Sequence, residues 1–125
     1  MALSDTSTAN IVYASGCPAG VPLLVTATTS GTAQTLDTAV TGATAHDEMY
    51  ICANNNGAAD VILSLEIGSS TNTLKWVIPG TSNAAGNPTQ RLMGGDRYNN
   101  ATTFKVYAAT GSVINVWVSK NRITE

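Results

Sequence analysis

Apolar and polar side chains alternate along much of this chain, most regularly between residues 47 and 67, DEMYICANNNGAADVILSLEI. Val61, Leu63, Leu65 and Ile67 fall on one face of the second half, with Ile62, Ser64 and Glu66 on the other. In the first half Met49, Ile51 and Ala53 oppose Tyr50 and Cys52. A period of two belongs to strands, whose successive side chains point to opposite faces. Between the runs stand Asn54, Asn55, Asn56 and Gly57, residues that accept positive φ at little steric cost. The pattern predicts a β-hairpin whose connection, from Ala53 to Asp60, is longer than a two-residue turn.

The same alternation recurs on both sides. Residues 23–28 and 33–40 read as strands parted by Ser30-Gly31, and their Thr and Val content suits a pleated surface better than a helix. Leu74, Trp76 and Ile78 share a face in 73–78, which Pro79-Gly80 ends; 81–88 reads as an exposed loop. Residues 89–93 give a short strand turned by Gly94-Gly95-Asp96. Phe104, Val106 and Ala108 line one face of 103–108, and Ile114, Val116 and Val118 oppose Asn115 and Trp117 in 113–119. No stretch sustains a helical period. About eight short, evenly spaced strands predict an all-β protein, an antiparallel β-sandwich of jelly-roll-like kind.

Residues 1–22 differ in texture. They are rich in Ser, Thr, Ala and Gly, and Ile11, Val12 and Tyr13 are their apolar cluster. They are expected to form an extended N-terminal arm, either a loose tail or a clasp on a neighbouring subunit, ahead of one sandwich domain at 23–125.

Composition narrows the partners. The 125 residues fit a single domain. Seventeen of its apolar residues are Ala, so Val, Ile, Leu and a few aromatics must build the core. Charged residues are 11% of the chain, less than half the roughly 25% of an average soluble domain. The net charge is −2, and Lys75, Arg91, Arg97, Lys105, Lys120 and Arg122 are scattered, so they are expected as surface charges. Such a distribution offers no basic patch to nucleic acid. No apolar run is long enough to cross a bilayer as a helix, and the first twenty residues lack a signal-peptide pattern, so no membrane partner is expected; two reduced thiols would suit synthesis in the cytosol.

Candidate chemistry is sparse. Cys17 and Cys52 stand without a CxxC pair and with too few companions for zinc; a disulfide and two reduced structural thiols both remain open, the thiols favoured. His46, Asp47 and Glu48 form the one acid-base cluster, but neighbours in a strand point apart, so Asp47 is not expected to join His46 and Glu48. The three read as a polar cluster at a strand start that discourages edge pairing. Gly94-Gly95-Asp96 lacks the spacing of a phosphate-binding loop, and no nucleophile elbow surrounds any Ser. No catalytic residue, metal site or cofactor is therefore expected, and the chain does not read as an enzyme. Tyr50, Trp76, Tyr98, Tyr107 and Trp117 read as core or interface aromatics, with stacking on sugars or bases as the alternative.

Three passages carry a family likeness: LDTAV at 36–40, residues 47–66 through the Asn run to DVILSLE, and the ending FKVYAATGSVINVWVSKNRIT. Together they resemble the small decoration, or cement, proteins of tailed-bacteriophage capsids. The likeness runs from Leu36 to Thr124 and leaves out the N-terminal arm and the 81–88 loop. It implies a β-sandwich, commonly a homotrimer, on the exterior of the virion's major capsid protein lattice, made in the host bacterial cytoplasm and bridging shell subunits. Ile11, Val12, Tyr13, Trp76 and Tyr98 are the candidate contacts to neighbouring subunits or shell. A receptor- or carbohydrate-binding module of a phage tail or fibre is the alternative.

Overall fold

The computed structural model describes residues 8–84 and 86–124 and is an antiparallel β-sandwich of nine strands. The strands are β1 (Thr8–Tyr13), β2 (Leu23–Val25), β3 (Gln34–Thr38), β4 (Ala45–Asn55), β5 (Val61–Ile67), β6 (Thr73–Ile78), β7 (Gln90–Tyr98), β8 (Thr103–Ala108) and β9 (Ile114–Thr124). One sheet runs β1-β9-β4-β7, with β2 pairing β9 beyond the end of β1; the other runs β3-β8-β5-β6. Alternating inward residues fill the space between them. Met49, Ile51 and Ala53 of β4 and Ile114, Val116 and Val118 of β9 face Leu63 and Leu65 of β5 and Phe104 and Val106 of β8. Burial of such side chains is the main favourable term in folding, about 1.5–3 kcal/mol for each large aliphatic or aromatic one.

The alternation places these faces correctly, but it does not say which strands pair. β4 bonds to β9 and β7, whereas β5 bonds to β6 and β8, so residues 47–67 form an arch between the sheets and not a hairpin. The physical reason is Asn55. Its buried side chain accepts from Gly57 N at 2.8 Å and donates to Ala59 O at 2.8 Å and Ile78 O at 3.0 Å. The Asn-rich stretch thus closes one end of the sandwich by stitching one sheet to the other. A buried amide with three partners costs little to desolvate.

Two further expectations change. Residues 8–22, expected as an arm, are built into the sandwich: β1 pairs with β9, and Ala14 and Cys17 sit in the core. Gly16 locks that segment down. Its N–H donates to Leu36 O at 2.9 Å, and a Cβ there would lie 2.5 Å from the same oxygen. Residues 1–7 of the expected arm lie outside the described residues. Likewise Gly94-Gly95 is no turn. It lies inside β7, where the register with β4 slips between Met49 and Tyr50 and again between Ile51 and Cys52. The first slip leaves Gly95 unpaired at φ +101°, a conformation glycine adopts without penalty, and the ring of Tyr50 covers it. These bulges distort an edge strand, which blunts it against pairing with another chain.

Candidate functional site

Two features stand out: an ionic cluster between the sheets and an apolar strip on the open face of the first sheet. The cluster starts from strand phase. Lys120 continues the inward series Ile114, Val116, Val118, and Asp47 precedes Met49 and Ile51 on the inward side of β4. Asp37 arrives by a different route. A register shift between Thr35 and Asp37 against β8 leaves Leu36 as an extra residue, so that Leu36 and Asp37 both turn inward. Asp37, Asp47 and Lys120 are 1%, 0% and 3% exposed.

Lys120 Nζ donates to Asp37 Oδ2 at 2.8 Å, to Asp47 Oδ2 at 3.1 Å and to Thr38 O at 3.4 Å. Arg122 donates from Nε to Asp47 Oδ1 at 2.8 Å and from Nη2 to Oδ2 at 3.0 Å. Backbone N–H groups complete the set, from Ser15 to Asp37 Oδ1 at 3.1 Å and from Val40 to Asp47 Oδ2 at 2.9 Å. Two carboxylates thus face two cations, and each charge is paired and hydrogen-bonded, the condition under which buried charge is tolerated. Burial pushes the Asp47 carboxyl up, but hydrogen bonds from Arg122 and Lys120, with their charges, outweigh it and hold Asp47 below the usual carboxylate range. The hydrogen bonds that Arg122 donates to Asp47 in turn raise the Arg122 pKa. Lys120, expected at the surface, is therefore the centre of a buried network. His46 and Glu48 point the other way from Asp47, and Glu48 pairs with Arg97 at 3.1 Å. β4 is flanked on both sides, so this cluster guards no edge.

The open face of the first sheet follows from the register. Ile11, Asn121, Glu48 and Arg97 form one cross-strand row, and Tyr13, Ser119, Tyr50 and Gly94 the next. Trp117, Cys52 and Arg91 form a third, and Leu24, Asn115 and Asn54 a fourth. Ile11 is 83% exposed, Tyr13 64% and Leu24 42%, so the strip is apolar along the β1 and β2 side and charged toward β7. Of the five candidate contact residues, Ile11 and Tyr13 therefore meet on one open face. Val12 is paired with Lys120 in register and is half-buried. Trp76 and Tyr98 pack against the core, Tyr98 edge-on to Phe104 with centroids 4.8 Å apart, and burial pushes the Tyr98 hydroxyl up. Tyr50 and Leu24 share the open strip and were not among the candidate contacts.

Three other places hold polar or reactive groups. Cys17 and Cys52 are free thiols; Cys17 is buried with Sγ 3.6 Å from Val116 O, and burial raises its pKa. A polar hollow of about 320 Å³ lies beside the turn Ser30–Thr32, lined by Ser30, Glu66, Ser69, Ser70, Thr103 and Lys105, with Ser30 donating to Glu66. Among the described residues no group of three or more His, Cys, Asp or Glu is placed to hold a metal ion, and no helix is long and apolar enough to cross a membrane. Comparison with family models, curated proteins and solved structures gives no match.

Proposed function

We propose that this protein is a non-enzymatic structural component of a phage virion, which decorates the capsid exterior and ties neighbouring shell subunits together. The observation that carries the reading is the open strip of Ile11, Tyr13, Leu24 and Tyr50, exposed apolar and aromatic side chains on one face of the first sheet. Contiguous exposed apolar surface rimmed by polar groups marks an interaction site. The likeness of residues 36–124 to capsid decoration proteins supplies the partner. Repetition over a lattice multiplies modest contacts into firm retention. The protein acts as a homotrimer, with the β1 edge of each copy against its neighbour.

The test is to mix purified protein with undecorated capsids of its phage and measure co-sedimentation and heat resistance of the shells. Saturable binding with a raised shell disruption temperature supports the reading; free protein in the supernatant and unchanged shells overturn it. Multi-angle light scattering decides the trimer separately, in solution and after release from shells.

A further inference from the structure

We propose that Lys120 and Asp37 condense into an intramolecular isopeptide bond, a covalent tie between β9 of one sheet and β3 of the other. The proposal rests on the buried cluster and is independent of how the protein docks. Amide formation from an amine and a carboxyl group needs three things: contact, a proton carrier and exclusion of the water that would drive the reverse reaction. The fold supplies all three.

Contact comes first. Lys120 Nζ lies 2.8 Å from Asp37 Oδ2, so the amine is one small side-chain rotation from the carboxyl carbon it would attack. Asp47 Oδ2, 3.1 Å from the same Nζ, is the proton carrier. The Ser15 N–H on Asp37 Oδ1 is placed where negative charge develops when nitrogen attacks Cγ. All three reacting side chains are buried between the sheets, so liberated water leaves and the product is protected from hydrolysis.

The balance closes without any further reagent. Lys120 starts as the ammonium and Asp37 as the carboxylate. One proton passes from Nζ to Asp47, the nitrogen lone pair forms a bond to Asp37 Cγ, and Oδ1 takes the negative charge. A second proton leaves nitrogen, the Cγ–Oδ2 bond breaks, and Oδ2 departs as water with both protons while Asp47 returns to its carboxylate. A cation and an anion thus become one neutral amide and one water. Arg122 makes Asp47 a weak base, since its two hydrogen bonds favour the carboxylate, so the first transfer is uphill and the bond forms slowly after folding.

The wild-type chain decides the matter by mass spectrometry of denatured protein, followed by trypsin digestion. The expected species is lighter than its sequence by one water and yields a branched peptide joining residues 1–75 to residues 106–122, uncut after Lys120. Asp37→Asn is expected to form the same bond with loss of ammonia in place of water, which identifies the acyl donor. Asp47→Asn, which removes the proton carrier, is expected to slow bond formation about a hundredfold. Full sequence mass with normal cleavage after Lys120 overturns the proposal. So does loss of water with residues 1–75 and 106–120 recovered as separate peptides.

Discussion

Asp47 and Arg122 stand opposite one another in the register of β4 and β9, and the guanidinium grips both oxygens of a carboxylate with no exposed surface. Burial raises Asp47, the bonds and charges of Arg122 and Lys120 lower it further, and the net holds the carboxyl below its usual range. A carboxyl group whose pKa is lower in the folded than in the unfolded chain stabilises the fold above the unfolded value. That contribution disappears as pH falls through the folded value. The thermal midpoint is therefore expected to hold from neutral pH to about 5 and to drop below about pH 4. In freshly folded protein, before the Lys120–Asp37 bond forms, Asp47→Asn is expected to cost about 3–5 kcal/mol at neutral pH, because it leaves the buried Lys120 and the half-buried Arg122 short of a partner, and to flatten the acid limb. Calorimetry of both chains across pH 2–7 measures the two effects.

Asn55 offers a test of the arch. Replacing it with Ala strands Ala59 O, Ile78 O and Gly57 N at the buried end of the sandwich. The expected loss is about 3 kcal/mol in urea unfolding. If the Asn run were an ordinary exposed turn, the same change would cost only a few tenths, which is the outcome that would contradict the arch.

Gly16 tests whether the N-terminal segment belongs to the fold. A Cβ at this position lies 2.5 Å from Leu36 O and 2.7 Å from Thr35 O, both backbone atoms that cannot swing away. Gly16→Ala is expected to destabilise by about 1–3 kcal/mol, read as a lower denaturation midpoint.

A stabilising change is available at the β7–β8 turn. Asn100 and Ala101 have φ +53° and +55°, and Thr102 N donates to Asn99 O at 3.1 Å, the pattern of a tight turn with two left-handed central residues, here leading from one sheet to the other. Ala pays a steric penalty there that glycine does not. Ala101→Gly is expected to raise stability by about 0.5–1 kcal/mol, visible as a higher thermal midpoint.

The open face separates docking from folding. Ile11 and Tyr13 contribute little to the core, so the double change Ile11→Thr and Tyr13→Thr is expected to shift stability by no more than about 0.5 kcal/mol. Co-sedimentation with undecorated capsids is expected to fall at least tenfold. Undiminished binding would move the docking surface to another face.

Much of this architecture is legible in the sequence because alternation is a local property. The inward sets Met49-Ile51-Ala53, Phe104-Val106-Ala108 and Ile114-Val116-Val118 can be read directly, and each is buried as its phase requires. Lys120 and Asp47 are legible too, since the inward phase of β9 continues past Val118 and that of β4 extends back past Met49. Their charge argued for the surface, and a pairing partner distant in sequence overrode it. Asp37 gave no such signal, since its inward turn depends on the bulge at Leu36, and that bulge exists only in the pairing of β3 with β8.

By itself, then, the sequence determined where most of the strands lie and which face of most of them is buried, since both follow from side-chain alternation and β-branched content. Only the tertiary structure decided that Asn55 closes an arch and not a hairpin, that Gly94-Gly95 sits within a strand, that residues 8–22 join the sandwich, and that Asp37, Asp47 and Lys120 meet. Each of these depends on hydrogen bonds between segments far apart in the chain. Such bonds are set by the packing of two sheets, which no local pattern encodes.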